Sequence, residues 1–158
     1  MNFSDSTLAR FAKEVAKYPA DQKQSAVMAC LAIVQQEQGH VSPESEDAVA
    51  AYLGMAPIAV HEVTTFYNMY ELAPVGKYKI TVCTNLCCTL MGADTISAHL
   101  KNKLAIGFGE TTGDGRFTLK EGECMGACGD GPLFLINNKR MCGSLTSEKV
   151  DQVLAELE

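Results

Sequence analysis

Apolar residues in the first half of the chain recur every three or four positions, which is the spacing of one face of an α-helix. Two stripes of this kind are Leu8, Phe11, Ala12 and Val15, and then Val27, Cys30, Leu31 and Val34. A third helix is predicted to begin at Ser42-Pro43-Glu44, which combines a capping side chain, an initial proline and an acidic first turn. Pro57 opens a fourth helix that runs toward the segment 66–70. The pattern therefore predicts a small bundle of four short helices.

The pattern changes after Ala73-Pro74-Val75-Gly76, where apolar and polar residues begin to alternate. Alternation from Tyr78 to Val82 predicts a β-strand that carries Cys83 at its end. A segment typical of a ligand loop follows, and then a helix is predicted over roughly 89–103. The proline and glycine at this point predict a domain boundary.

The remaining elements complete a small layered domain. Phe117 and Leu119 predict a strand that leads to Cys124. The continuously apolar segment 133–136 is typical of a central strand that is covered on both faces, and Thr146 caps a final helix. The order β-α-β-β-α is that of a thioredoxin-like sheet with helices packed on it.

Composition agrees with two small cores in one chain. The sequence has 158 residues, of which 47% are hydrophobic, which is enough for one good core or two small ones. We therefore predict an α+β fold, in which residues 1–74 form an N-terminal helical bundle and residues 75–158 form a thioredoxin-like domain.

The candidate chemistry lies in cysteines that follow the predicted strands. Cys83 and Cys88 have the spacing Cys-x4-Cys, and Cys124 and Cys128 have the spacing Cys-x3-Cys. Four thiolates favour zinc or an iron–sulfur cluster. Structural zinc sites usually have shorter knuckles, and the wider loops are better suited to a binuclear cluster whose sulfides accept hydrogen bonds from loop N–H groups. Cys87, beside Cys88, is an alternative ligand that the spacing alone leaves open.

The other cysteines are predicted to be structural. Cys30 lies on an apolar helical face, and Cys142 follows a predicted two-residue hairpin turn at Asn137-Asn138 and is interpreted as a non-ligand on an edge strand. Seven cysteines are an odd number, and the start Met1–Asp5 is polar, so a reducing compartment is expected in place of a disulfide framework.

Charge and motifs exclude several functional classes. A net charge of −6, without a cluster of Lys and Arg, argues against nucleic-acid binding. The longest apolar runs fall far short of the roughly 20 residues of a membrane helix, so any membrane association is expected through a partner. No dinucleotide fingerprint is present, so NADH is expected to bind elsewhere, and no catalytic acid–base or nucleophile arrangement is predicted. The aromatic segment 66–70 is interpreted either as bundle core or as a docking surface.

The segment from Val82 to Cys88, the segment from Cys124 to Cys128 and the following Gly131-Pro132 resemble one family of subunits, the E-type subunits of bacterial NADH-quinone oxidoreductase, which is respiratory complex I. The resemblance extends over nearly the whole chain, including the aromatic end of the helical half. The sequence differs from the family pattern at Cys87, Cys142 and Gly131.

The resemblance implies one [2Fe-2S] cluster, with Cys83 and Cys88 on one iron and Cys124 and Cys128 on the other. It therefore favours Cys88 over Cys87. It also implies that the N-terminal helices dock onto a flavoprotein subunit of the F type, which holds FMN and binds NADH, among other peripheral-arm subunits. The chain would then be an electron carrier within an enzyme, attached to the cytoplasmic side of a bacterial inner membrane through the complex.

Three alternatives remain open from the sequence. One is the equivalent diaphorase subunit of an NAD-reducing hydrogenase or an NAD-dependent formate dehydrogenase, which shares these motifs. Another is a structural or interaction module that is stabilised by zinc. The third is a free-standing thioredoxin-like ferredoxin, which the additional helical domain disfavours.

Overall fold

The computed structural model describes residues 3–157, and the first two residues of the predicted polar start lie outside this range. The chain consists of two compact units, Met1–Pro74 and Val75–Glu158. Each unit has its own hydrophobic core. The functional roles that the sequence suggests for them, partner docking and cluster binding, remain predictions.

The first unit is a bundle of helices, with a short 3-10 turn at Lys23–Ala26. Its helices are α1 Asp5–Val15, α2 Val27–Gln38, α3 Pro43–Leu53 and α4 Pro57–Phe66. The predicted start of α3 is confirmed, because the Ser42 side chain accepts a hydrogen bond from the Ser45 N–H ahead of Pro43. Helix α4 ends at Phe66, where Tyr67 adopts an extended backbone, so it does not continue through the aromatic segment.

The predicted apolar stripes supply much of the core of the first unit, although Ala12 of the first stripe is exposed. Its fully buried side chains include Phe11, Cys30, Leu31, Val34, Val41, Val49, Leu53 and Val60. The aromatic segment 66–70 contains both a buried and a strongly exposed side chain. Tyr70 is buried and donates its hydroxyl hydrogen to the Met28 carbonyl oxygen at 2.9 Å, whereas Phe66 is 80% exposed.

A buried carboxylate joins α3 to α4. Glu46 is buried; its Oε1 accepts a hydrogen bond from the Thr64 hydroxyl, and its Oε2 lies 2.9 Å from His61 Nδ1. A carboxylate removed from water needs such donors, because an unsatisfied buried polar group is costly. The pair therefore helps to set the packing of these two helices.

Replacing Thr64 with valine is expected to lower the free energy of unfolding by about 1–3 kcal/mol, because valine has a similar shape but cannot donate to Glu46. Urea unfolding followed by far-UV circular dichroism measures the change. Thr65→Val is the matched control, since Thr65 is an exposed threonine of the same helix that donates only to backbone oxygens. Equal losses in the two variants would contradict this assignment.

The second unit has the predicted thioredoxin-like architecture. Its elements are β1 Tyr78–Cys83, α5 Leu86–Leu90, α6 Ala93–Leu104, β2 Phe117–Gly122, β3 Phe134–Ile136, β4 Arg140–Cys142 and α7 Ser147–Glu156. Within the described residues, the strand order is β2-β1-β3-β4. Strand β1 is parallel to β2 and antiparallel to β3, and β3 is antiparallel to β4.

Strand β3 lies inside the sheet, as its apolar sequence predicts. Phe134 is fully buried, in a core that includes Ile80, Leu119, Ile136 and Val150. The chain then turns through Asn137 and Asn138, whose φ angles of 51° and 56° are those of a tight hairpin turn that asparagine tolerates. The turn leads into the edge strand β4.

The prediction of one helix over 89–103 is wrong. Two helices, α5 and α6, occupy this segment, and the break lies at Gly92, whose φ is 98°. A left-handed backbone ends a helix, and glycine adopts it without the steric cost of a side chain. Because α5 begins at Leu86, Cys87 and Cys88 lie on a short helix and not in an open loop.

Candidate iron-sulfur site

The sheet brings the two cysteine segments to the same edge. Cys83 is the last residue of β1 and pairs in register with Gly122, the last residue of the parallel strand β2. Because parallel strands run in the same direction, the segments that leave them emerge side by side. The Thr84 N–H donates to the Gly122 carbonyl oxygen at 3.0 Å, and the Cys83 thiol donates to the Glu123 carbonyl oxygen at 3.7 Å. Cys124 follows directly.

Cys83 and Cys88 form a buried pair of thiols. They are 2% and 1% exposed and pack with Ala93 and Leu133. Burial, followed by the neighbouring thiols of Cys83 and Cys128, raises the pKa of Cys88 to about 11, while a hydrogen bond with the Leu133 backbone acts in the opposite direction. A free thiolate is therefore unfavourable here. A bound cationic metal would supply the charge that stabilises it.

Cys124 and Cys128 form the second, exposed pair. The pKa of Cys128 is raised, first by the neighbouring Cys87 thiol and then by Cys124. The Gly126 N–H donates to Cys124 Sγ at 3.4 Å, and the positive φ of Gly126, 71°, directs the backbone into this turn. A short turn of 3-10 helix at Cys128–Asp130 continues the segment.

Gly131 lies where the chain passes close to the buried pair. A Cβ atom at Gly131 would lie 3.0 Å from Met91 Sδ and 3.3 Å from Cys88 Sγ, which is closer than ordinary contact. A Cβ atom at Gly126 or Gly129, in contrast, would have nothing within 4 Å. Gly131 and the Leu133 backbone were not predicted to contact the site, because both belong to a segment whose sequence indicates only a turn and a strand.

These residues have the donor set of a binuclear cluster. Two thiol pairs lie on two converging segments, and the backbone at Gly126 and Leu133 forms hydrogen bonds with the sulfurs of Cys124 and Cys88. Among residues 3–157, no group of three or more His, Cys, Asp or Glu side chains surrounds a single ion position. The ligand set Cys83, Cys88, Cys124 and Cys128 remains a prediction.

The two remaining cysteines do not belong to the two segments that carry the thiol pairs. Cys30 is fully buried in the core of the first unit, and Cys142 is buried on the edge strand β4. The histidines also have local partners: His61 lies beside Glu46, and His99 Nε2 lies 2.9 Å from Asp151 Oδ1.

In the folded chain, Cys30 is expected to resist alkylation by iodoacetamide at pH 8. Burial and the charge of Glu14 raise its pKa to about 12. Because the thiolate is the reactive form, any reaction rate should rise about tenfold per pH unit below that pKa. Peptide mass spectrometry measures the modification, and the exposed Cys87 provides the internal comparison. Equal modification of both thiols in folded protein would contradict the expectation.

The class of this protein follows from its fold and from the family that it matches. A family model described as thioredoxin-like [2Fe-2S] ferredoxin matches residues 11–158, and the chain belongs to that family. The predicted fold and the predicted [2Fe-2S] cofactor are therefore confirmed at the level of the family.

Its relatives specify the group further. The chain is 36% identical over 157 residues to NADH-quinone oxidoreductase subunit 2 of Thermus thermophilus, which covers 99% of this chain and 87% of the relative. It is 44% identical over 127 residues to the E-type subunit of NADH-quinone oxidoreductase from Rickettsia typhi, which covers 78% and 74%. The predicted membership of the E-type family of this oxidoreductase is confirmed.

A solved structure supports the fold alone. A chain of an NAD+-reducing [NiFe]-hydrogenase superposes with a TM-score of 0.70 at 20% identity, over 84% of this chain. The present chain spans only 22% of that hydrogenase chain.

None of the helices in residues 3–157 combines the length and the apolar character needed to cross a membrane.

Proposed function

We propose that this chain is the electron-transfer subunit of an NADH-quinone oxidoreductase and carries one [2Fe-2S] cluster on Cys83, Cys88, Cys124 and Cys128. The observation that carries the proposal is the convergence of the two thiol pairs at one edge of the sheet, where the parallel strands β1 and β2 end. The relatives named as subunits of NADH-quinone oxidoreductase support the parent assembly.

When bound, the cluster would accept or donate one electron at a time, and ligation by four thiolates favours a potential on the order of −400 mV. Residues of this chain would modify the reduction potential of the cluster. Cys83 and Cys88 lie in an apolar pocket that keeps water from one side. The backbone hydrogen bonds at Gly126 and Leu133 stabilise negative charge on the ligand sulfurs, which raises the potential.

The partner that we propose is a flavoprotein subunit that holds FMN and binds NADH, because this chain has no dinucleotide fingerprint of its own. A candidate contact surface lies on α5, beside the cysteines. Leu86 is 69% exposed, Leu90 is 79% exposed and Met91 is 47% exposed. Such a group of exposed apolar side chains is typical of an interaction surface.

The N-terminal unit offers a second apolar surface for docking on the same assembly. It consists of Phe66, Tyr67, Met69 and Leu72, all of which are exposed. Aromatic residues and methionine are enriched at the centres of protein interfaces.

Anaerobic purification with metal and sulfide analysis tests the cluster. We expect about two irons and two sulfides per chain and a single EPR signal after reduction with dithionite. Stoichiometric zinc in natively produced protein, without that signal, would overturn the proposal in favour of a structural module.

Affinity purification of the tagged chain from its own cells tests the assembly. Co-purification of a flavoprotein together with quinone oxidoreductase subunits is expected. A hydrogenase or formate dehydrogenase large subunit in their place would reject the parent complex but not the cluster. A Phe66→Ser variant should reduce recovery of the partners, whereas Tyr18→Ser, which alters an exposed aromatic residue that is not part of the proposed surface, should not.

A further inference from the structure

Burial divides the five cysteines of the two ligand segments into two groups. Cys83 and Cys88 are buried, whereas Cys87, Cys124 and Cys128 are exposed. Cys87 and Cys88 are consecutive residues of α5, and successive side chains of a helix point about 100° apart. When Cys88 faces the interior beside Cys83, Cys87 therefore has to face the solvent side.

The neighbours of Cys87 lie on that same side. A Cβ atom at Gly131 would lie 3.3 Å from Cys88 Sγ and 3.4 Å from the Cys128 carbonyl oxygen, so the segment after Cys128 passes against α5. The Cys87 thiol is the neighbour that raises the pKa of Cys128 most, and Cys124 also raises it. Cys88, in contrast, has Cys83 as its main thiol neighbour. Cys87 is therefore not a lone cysteine but the third member of an exposed group of thiols.

The helix holds Cys87 in this position. The Met91 N–H donates to the carbonyl oxygens of Cys87 and Cys88 at 3.2 and 3.1 Å, and the Thr89 N–H donates to the Asn85 oxygen at 3.0 Å. Moving Cys87 to the place of Cys88 would require rotation of the whole turn by about 100°. Such a rotation would also move the exposed side chains of Leu86 and Leu90 and break these hydrogen bonds.

We infer that Cys87 is a reserve ligand for the iron assigned to Cys124 and Cys128, and not for the iron assigned to Cys83 and Cys88. This inference rests on the proposed function. If an exposed ligand were lost, the Cys87 thiol would release its proton to water, and its sulfur would replace the lost thiolate as the ligand at that position. No electron is exchanged in this step, and the cluster keeps four thiolate ligands.

The reserve thiol lies beside the two proposed ligands that are most accessible to oxidation. Oxidation of cysteine to sulfenic or sulfinic acid depends on access and thiolate character, and Cys124 and Cys128 are the exposed ligands of the proposed set. A thiol beside them can restore ligation where damage is most accessible. The buried pair has no comparable substitute within the described residues.

Single and double alanine variants of the full chain test the inference. Cys128→Ala is expected to retain about two irons per chain, whereas Cys128→Ala combined with Cys87→Ala should fall below about a fifth of that content. Cys87→Ala alone should keep the full cluster. Equal iron content in Cys128→Ala with and without Cys87 would overturn the inference.

Cys88→Ala is the matched control. It should lose the cluster whether or not Cys87 is present, because the Cys87 side chain points about 100° away from that of Cys88 on α5. If Cys88→Ala retains the cluster only when Cys87 is present, Cys87 serves the iron assigned to Cys83 and Cys88, and the inference is overturned. Alkylation gives a direct readout: iodoacetamide should modify Cys87 in the wild-type holoprotein but not in the cluster-bound Cys128→Ala variant.

A measurement on the unaltered chain decides the matter if a variant does not fold. After removal of the cluster with a chelator, the azo oxidant diamide takes up two thiol hydrogens and leaves a disulfide between neighbouring cysteines. Peptide mapping is expected to find Cys87 linked to Cys128. A link from Cys87 to Cys83 would overturn the inference. If the wild-type chain contains no iron, the proposed function itself is rejected. If the wild-type chain contains the cluster but Cys87 does not replace Cys128 in the variant, only the role of Cys87 as a reserve ligand is rejected.

Discussion

Replacing Cys83 with alanine is expected to abolish the [2Fe-2S] cluster, lowering iron from about two per chain to less than about a tenth of that value. Cys83 is buried at the end of β1, whereas the thiol of Cys87 is exposed and has the Cys128 thiol as its neighbour. No neighbouring thiol is therefore placed to replace it. Iron and sulfide analysis, visible absorption and EPR of the reduced protein measure the loss.

The matched control for this variant is Cys142→Ala. Cys142 is a buried cysteine of the same unit, but it lies on the edge strand β4 and is not part of the proposed ligand set. It should retain full iron and the wild-type EPR signal. A cluster that survives in Cys83→Ala, or is lost in Cys142→Ala, would contradict the ligand assignment.

Replacing Phe134 with alanine is expected to lower the free energy of unfolding by about 3–5 kcal/mol, because it removes a large aromatic side chain from a closed core. Phe134 is fully buried on β3, between β1 and β4. It also follows Leu133, whose carbonyl oxygen accepts a hydrogen bond from the Cys83 N–H at 3.1 Å. Slower or weaker cluster uptake should therefore accompany the loss of stability.

Urea unfolding in reducing buffer, followed by far-UV circular dichroism, measures this change. Met141→Ala is the control, since Met141 is 44% exposed on the adjacent strand, and its effect should stay within about 0.5 kcal/mol. A similar small effect for Phe134→Ala would mean that β3 is not a central part of the core.

Local signals in the sequence predicted most of the secondary structure. Ser42 and Pro43 start α3 because a capping hydroxyl and a preset φ act within one turn. Gly39 ends α2 because its φ of 79° is accessible to glycine. The spacing of apolar residues similarly predicted the two cores, because the helical and strand periods place these residues on one face.

Local signals were insufficient between Cys88 and Leu104. The apolar spacing there is compatible with one helix, and a single glycine does not normally stop one. In the folded chain, Gly92 adopts a left-handed conformation, and α5 and α6 separate there. The break depends on how both helices pack against the sheet, which the periodicity does not contain.

The candidate site, like the secondary structure, could be predicted only in part from the sequence. The spacing of the cysteines and the strands before them predicted two thiol pairs and favoured a binuclear cluster over zinc, because ligand type and loop length are local properties. The resemblance to the E-type subunits then implied the [2Fe-2S] cluster. Sequence alone could not separate Cys87 from Cys88, since both are cysteines at nearly the same distance from Cys83. Their different burial arises from the direction of each side chain on α5, and that direction depends on tertiary packing. The contacts of Gly131 and Leu133 with the buried thiol likewise join residues that are far apart in the chain, so only the folded structure determines them.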